Sequence, residues 1–120
     1  MKIYIICPVR QLSENWRDGL SKYVEALEAQ GHQVHFPPRD TRQNDRTGYN
    51  ICTQNRKAIE EADEIHIAWD GKSKGSLFDL GMAFALRKRI KVITGYFPQP
   101  TPQKSFASMV WQWEAIDNNY

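Results

Sequence analysis

Residues 2–7, KIYIIC, form a short and nearly unbroken apolar run, the pattern of a strand covered on both faces. Pro8 ends it. From Ser13 the pattern changes to helical spacing, with Trp16, Leu20, Tyr23, Val24 and Leu27 on one stripe. Ser13 is the expected cap, and Gly31 marks the stop after about Gln30. HQVHFP reads as a second short strand, closed by Pro37 and Pro38. Residues 39–50 are polar and aperiodic, which predicts a loop of about a dozen residues. A helix is expected over 51–62, a strand over 64–69 and a loop at DGKSKGS. SLFDLGMAFALRKR then supplies a helix, IKVITGY a fourth strand, FPQPTPQ an extended connector and KSFASMVWQWEAI a last helix.

Strands and helices therefore alternate. That order predicts one α/β domain over residues 1–120, Rossmann-like or flavodoxin-like. Its parallel sheet would have four to five strands, with helices on both faces. Ligands bind beyond the carboxyl ends of such strands. Three segments meet there: CPVR after the first strand, the long loop after the second, and DGKSKGS after the third.

Composition narrows the function. With 120 residues, 41% hydrophobic and 25% charged, the chain has the make-up of one soluble domain. A net charge of +2 gives no basis for binding a nucleic acid polymer or a membrane. The basic run RKRIK, residues 87–91, falls where a helix ends and complements its dipole. No apolar run has the length of a membrane span and no leader pattern opens the chain, so an intracellular, cytoplasmic protein is expected. Cys7 and Cys52 fit no metal-binding or redox spacing and are expected reduced. His32, His35 and His66 form no ligand set, so neither a metal nor another cofactor is expected.

The loops hold the candidate chemistry. CPVR is too tight for a dinucleotide-binding turn, and no phosphate-loop lysine motif is present. SKGS, with Ser73, Gly75 and Ser76, offers hydroxyls and backbone N–H groups at a helix start, a generic anion site or a plain cap. Arg10 is a second anion candidate through its forked guanidinium. Asp79 is expected in the first helical turn, where a carboxylate complements the dipole. Between Phe78 and Leu80 it is also a candidate for partial desolvation and nucleophilic chemistry. Trp69 and Tyr49 are packing residues or platforms for a base.

Three motifs carry a resemblance over residues 3–86: YIICPVR, NRKAIEEADEIHIAW and SKGSLFDLGMAFAL. Together they resemble the nucleoside 2-deoxyribosyltransferases and their sister group, the 2′-deoxynucleoside 5′-monophosphate N-glycosidases. The resemblance implies a nucleoside or nucleotide as the small-molecule partner, and N-glycosidic cleavage or deoxyribosyl transfer as the activity. It implies a homodimer or a higher homo-oligomer. By position, Asp79 falls on the nucleophile that attacks C1′, and Asn55 on the residue that assists the leaving base. Tyr4, Pro8 and Arg10 fall on the first strand and loop, where Tyr4 and Arg10 would face the nucleotide. Ser73, with Gly75 and Ser76, falls on the phosphate-holding loop. Met109 falls on a C-terminal segment lent by a neighbouring subunit, with Ser105 and Ser108 nearby. Asp63 is read as a structural turn carboxylate.

Two positions depart from the pattern. Aspartate stands where the resembled enzymes have glutamate, and losing a methylene draws the carboxylate back by about 1.5 Å. Asn55 stands for an aspartate and cannot deliver a proton as an acid does. A different donor, Asp45 or Asp40 in the long loop or else water, would then be needed. These changes also keep open an alternative: a nucleotide- or sugar-phosphate-binding protein that no longer cleaves.

Overall fold

The computed structural model describes residues 1–118. Four strands, β1 (Lys2–Ile6), β2 (Gln33–His35), β3 (Glu64–Ile67) and β4 (Arg89–Val92), form one sheet in the order β2-β1-β3-β4. Every neighbouring pair is parallel. The five helices are α1 (Glu14–Ala29), α2 (Pro37–Asp40), α3 (Tyr49–Glu61), α4 (Lys74–Ala85) and α5 (Phe106–Asp117). The expected α/β domain is therefore present, with four strands.

Side-chain alternation along β1 divides the core in two. Ile3, Ile5 and Cys7 pack with Leu20 and Val24 of α1. Tyr4 and Ile6 pack with Ile59, Leu80, Ala83 and Val110 from α3, α4 and α5. Ile65, Ile67 and Trp69 join that second cluster. β1 and β3 are central; β1 is apolar on both faces, whereas β3 sets Ile65 and Ile67 on one face and Glu64 and a buried His66, held by Tyr23 and Glu64, on the other.

Capping explains most helix limits. Ser13 Oγ accepts the Trp16 N–H at 3.2 Å, and Gly31, at φ 94°, follows the end of α1. Asp63 Oδ2 accepts the Lys2 N–H at 2.8 Å, the structural role expected of it. Within the basic run, Lys88 acts differently from expectation. Lys88 Nζ donates to the Glu60 and Ala62 carbonyls, so it closes the end of α3 instead of its own helix. On the open margin of β4, Asp117 and Glu114 of α5 accept the Ile90 and Val92 N–H groups.

The long loop is shorter than its polarity suggests. Pro37 and Pro38 start α2, because proline suits the first helical turn. Asp40 Oδ2 accepts the Phe36 N–H at 2.8 Å and steadies that turn. At the other end, α3 begins at Tyr49, two residues earlier than the hydrophobic pattern implies.

Gly19 of α1 lies under the Tyr96 ring, where an added Cβ would collide with the hydroxyl. An exposed helical glycine replaced by alanine gains about 1 kcal/mol. Here overpacking reverses the sign. Gly19→Ala is expected to lose about 1 kcal/mol in urea denaturation, because Tyr96 must leave its edge-on contact with Trp16.

Candidate active site

The chain runs from β1 outward to β2, then returns to place β3 on the other side of β1. A crevice opens at the carboxyl ends of strands where such a reversal occurs. A cleft of about 470 Å³ lies there, within the range of small-molecule sites. Cys7 and Arg10 line it from the β1 loop, Cys52 and Asn55 from α3, Asp70 and Lys72 from the β3 loop, and Ser73 through Asp79 from the start of α4.

Ser73 is the cap of α4. Its Oγ accepts the Ser76 N–H at 3.2 Å and the Ser76 hydroxyl at 3.0 Å. Asp70 Oδ1 accepts the Lys72 and Ser73 N–H groups at 2.9 and 2.8 Å, folding the loop back on itself. The Trp69 indole N–H donates to the Ser73 carbonyl at 3.1 Å. Open space lies where a Cβ on Gly75 would stand, so the first turn of α4 faces the cleft unobstructed. Arg10, Lys72 and Lys74 add three exposed cations at its rim.

Asp79 is the sixth residue of α4, in the second turn. This corrects the expectation of a first-turn charge. Dipole effects fade within the first turn, so capping does not account for it. It lies on the inward stripe Ser76, Asp79, Leu80 and Ala83, and is only 7% exposed. Burial pushes its carboxyl up to about 6, while hydrogen bonds from Tyr4 and Asn55 pull it back. Tyr4 Oη donates to Asp79 Oδ2 at 2.8 Å.

Tyr4 does not face the cleft. It is fully buried and reaches the site through its hydroxyl alone. Burial, reinforced by Asp79, raises its pKa well above the usual value, so it stays a donor. Pro8 is likewise fully buried beneath the β1 loop. Burial pushes the Cys7 thiol up to about 12, and burial together with Asp79 raises Cys52. At neutral pH both thiols stay protonated, and Asp79 is the buried anion of the cleft.

Asn55 occupies the inward stripe of α3, one turn before Ile59. Its Oδ1 accepts the Thr41 hydroxyl at 2.7 Å. Thr41 Oγ1 is in turn 2.8 Å from His35 Nε2. Sequence reasoning missed Thr41 and His35, and also Lys72 and Lys74.

Several expected contributors lie elsewhere. Asp40 pairs with Arg39, and Asp45 accepts the Ile51 N–H at 2.9 Å at the start of α3. Neither lines the cleft, so neither can serve as its acid. Trp69 is 8% exposed and packs in the core beside Phe97. Tyr49 is 72% exposed and borders an adjoining depression of about 580 Å³ with Phe78 and Met82. Met109 packs against the core, away from the cleft of its own chain. Ser105 and Ser108 bond to each other and to Thr101, with Ser105 capping α5.

Two solved structures resemble this arrangement. The 2-deoxyribosyltransferase of Bacillus psychrosaccharolyticus has a TM-score of 0.66 and 20% identity, covering 98% of this chain and 91% of its own. The CMP N-glycosidase of Clostridium botulinum has a TM-score of 0.56 and 20% identity, covering 77% of this chain and 70% of its own. Both share the fold of this chain. One is a transferase and the other a nucleotide N-glycosidase, the pair of activities that the sequence motifs resemble. No protein-family model and no curated protein matches the chain. Among the described residues, no helix is long and apolar enough to cross a membrane.

Proposed function

We propose that the cleft holds a nucleoside or nucleotide and that Asp79 acts on C1′ to break the N-glycosidic bond. The observation that carries this reading is the buried Asp79 carboxylate. It is held by the Tyr4 hydroxyl in a cleft whose far rim is cationic and rich in hydroxyls. Breaking such a bond creates an oxocarbenium-like sugar, which a carboxylate stabilises or captures. With its carboxyl near 6, Asp79 is ionised about ten to one at pH 7. The hydroxyl of Tyr4 occupies Oδ2 and orients the group. Ser73, Ser76 and the open first turn of α4 suit the 5′ end of the ligand. Arg10, Lys72 and Lys74 favour a phosphate there. The departing base takes its proton from solvent, since Asn55 has none to give as an acid. The two solved neighbours, an N-glycosidase and a deoxyribosyltransferase, support this class of reaction on this fold.

The test is release of free base, read by chromatography, from deoxynucleosides and deoxynucleoside 5′-monophosphates, beside an Asp79→Ala control. Release that disappears in the control is expected. No release from any substrate would overturn the reading. A second reading, binding without cleavage, is favoured by asparagine at position 55, which has no acid proton to give a departing base. It predicts thermal stabilisation by nucleotides with no base released.

Phosphate recognition has its own expected result. Arg10→Ala should lower kcat/KM for 5′-monophosphates by about tenfold, the loss of one charge-assisted contact. Free nucleosides should be affected much less. Equal losses on both would place Arg10 outside phosphate recognition.

A further inference from the structure

Behind Asp79 a ring of neighbouring side chains closes on itself, joined in part by hydrogen bonds and in part by a ring stack. Tyr4 and His35 are paired across β1 and β2, and their rings stack at 5.3 Å with an interplanar angle of 9°. His35 meets Thr41, Thr41 meets Asn55, Asn55 stands beside Asp79 in the lining of the cleft, and Asp79 returns to Tyr4. Thr41 is 4% exposed and comes from the end of α2, so water has little access to this chain of contacts.

The loop has a direction. Thr41 has one hydroxyl proton, and it goes to Asn55 Oδ1. The contact with His35 must then run the other way, with the imidazole Nε2–H donating to Thr41 Oγ1. With its oxygen held by Thr41, Asn55 has its NH₂ left for the carboxylate. If Thr41 donated to His35 instead, Asn55 would turn its NH₂ to Thr41 and set its oxygen against Asp79.

We propose that Thr41, backed by His35, is a positioning residue that fixes the Asn55 amide as a permanent donor to Asp79. Neither residue touches the ligand space. Their effect passes through Asn55. The proposal gives a physical reason for asparagine at this position. An aspartate accepting from Thr41 would bring a second negative charge to Asp79, whereas asparagine brings a donor. Asn55 thus serves the nucleophile and not the leaving base. The functional consequence rests on the proposed role of Asp79, but the geometry does not.

The other groups facing Asp79 are Tyr4 from β1, Cys7 just after it and Cys52 from α3, with Arg10, Asp70, Lys72 and Lys74 around the cleft. None of them changes when Thr41 is replaced. Burial lowers the proton affinity of His35, which keeps its ring neutral at pH 7.

The experiment is a carbon-detected NMR titration of the Asp79 carboxyl, its resonance identified by its loss in Asp79→Asn. Thr41→Val removes the hydroxyl at nearly constant shape. Its Asp79 midpoint should rise by about one pH unit, the loss of one hydrogen bond to a charged group. Base release at pH 6 should fall about fivefold as the ionised fraction drops. Thr41→Ser should restore both. His35→Phe keeps the ring stack and should shift the midpoint the same way, by less. It also provides a reading if Thr41→Val does not fold. An unchanged midpoint in Thr41→Val, or in His35→Phe if that is the variant available, overturns the proposal. A shifted midpoint in a protein that releases no base upholds the positioning network and removes the glycosidase reading.

Discussion

Asp79→Asn is expected to lower base release by about a thousandfold or more while making the protein more stable. The two effects share one cause. Burial raises the carboxyl from 3.8 to about 6, so the folded protein holds the proton more tightly than the unfolded chain does. Below pH 3.8 both states are protonated and folding bears no penalty. Between pH 3.8 and 6 the unfolded chain ionises first, and stability falls as pH rises. Above about 6 the full penalty, on the order of 2–3 kcal/mol, is present. Asparagine removes it and keeps an oxygen for Tyr4, so a net gain of about 1–2 kcal/mol at pH 7 is expected. The check is a pair of denaturation curves at pH 7 and pH 4. The variant should exceed the wild type at the higher pH, and its advantage should shrink at the lower. A variant less stable than the wild type at pH 7 would contradict the assigned burial cost. Activity of the wild type should fall as pH drops through about 6.

Trp69→Ala should cost about 3–5 kcal/mol, a large share of the 5–15 kcal/mol that holds a domain of this size together. The indole packs beside Phe97, and its N–H holds the Ser73 carbonyl at the entry to α4. The measurement is the urea midpoint with its slope unchanged. Trp69→Phe separates packing from anchoring. It keeps most of the apolar contact and loses the hydrogen bond, so stability should fall by only about 1 kcal/mol. KM should rise more than kcat falls, because the loop that presents Ser73 loosens. A phenylalanine variant with unchanged KM would make the indole a core residue and nothing more.

How much could be read from the sequence follows from what each residue packs against. β1 was legible because a central strand is apolar on both sides and its alternation fell directly into two core clusters, and β3 because Ile65 and Ile67 alternate with polar residues. Ser13, Gly31 and Ser73 announced their helix ends through chemistry that is local. Asp79 and Asn55 carried a signal too: each is a polar residue standing on an otherwise inward-facing helical stripe. α2 was hidden because two prolines read equally well as the end of a strand and the start of a helix. Thr41 and His35 could not be found from spacing. One sits in an aperiodic stretch and the other on a three-residue strand, and only the β1–β2 register brings them behind Asn55. The placement of Asp79 in the first turn failed by one helical turn, since of the two serines able to cap α4 it is Ser73, not Ser76, that does so.

The two carboxylates of α5 on the outer margin of β4 have a further consequence. A parallel strand with bare amides along one side is a template for a strand from another molecule. Glu114 and Asp117 occupy those amides, so a helix covers the edge of the sheet. The width of the sheet is thereby limited by two acidic side chains. Replacing both with alanine would leave the fold its core but give it an adhesive border, and the protein would be expected to assemble into fibrous aggregates before it unfolds.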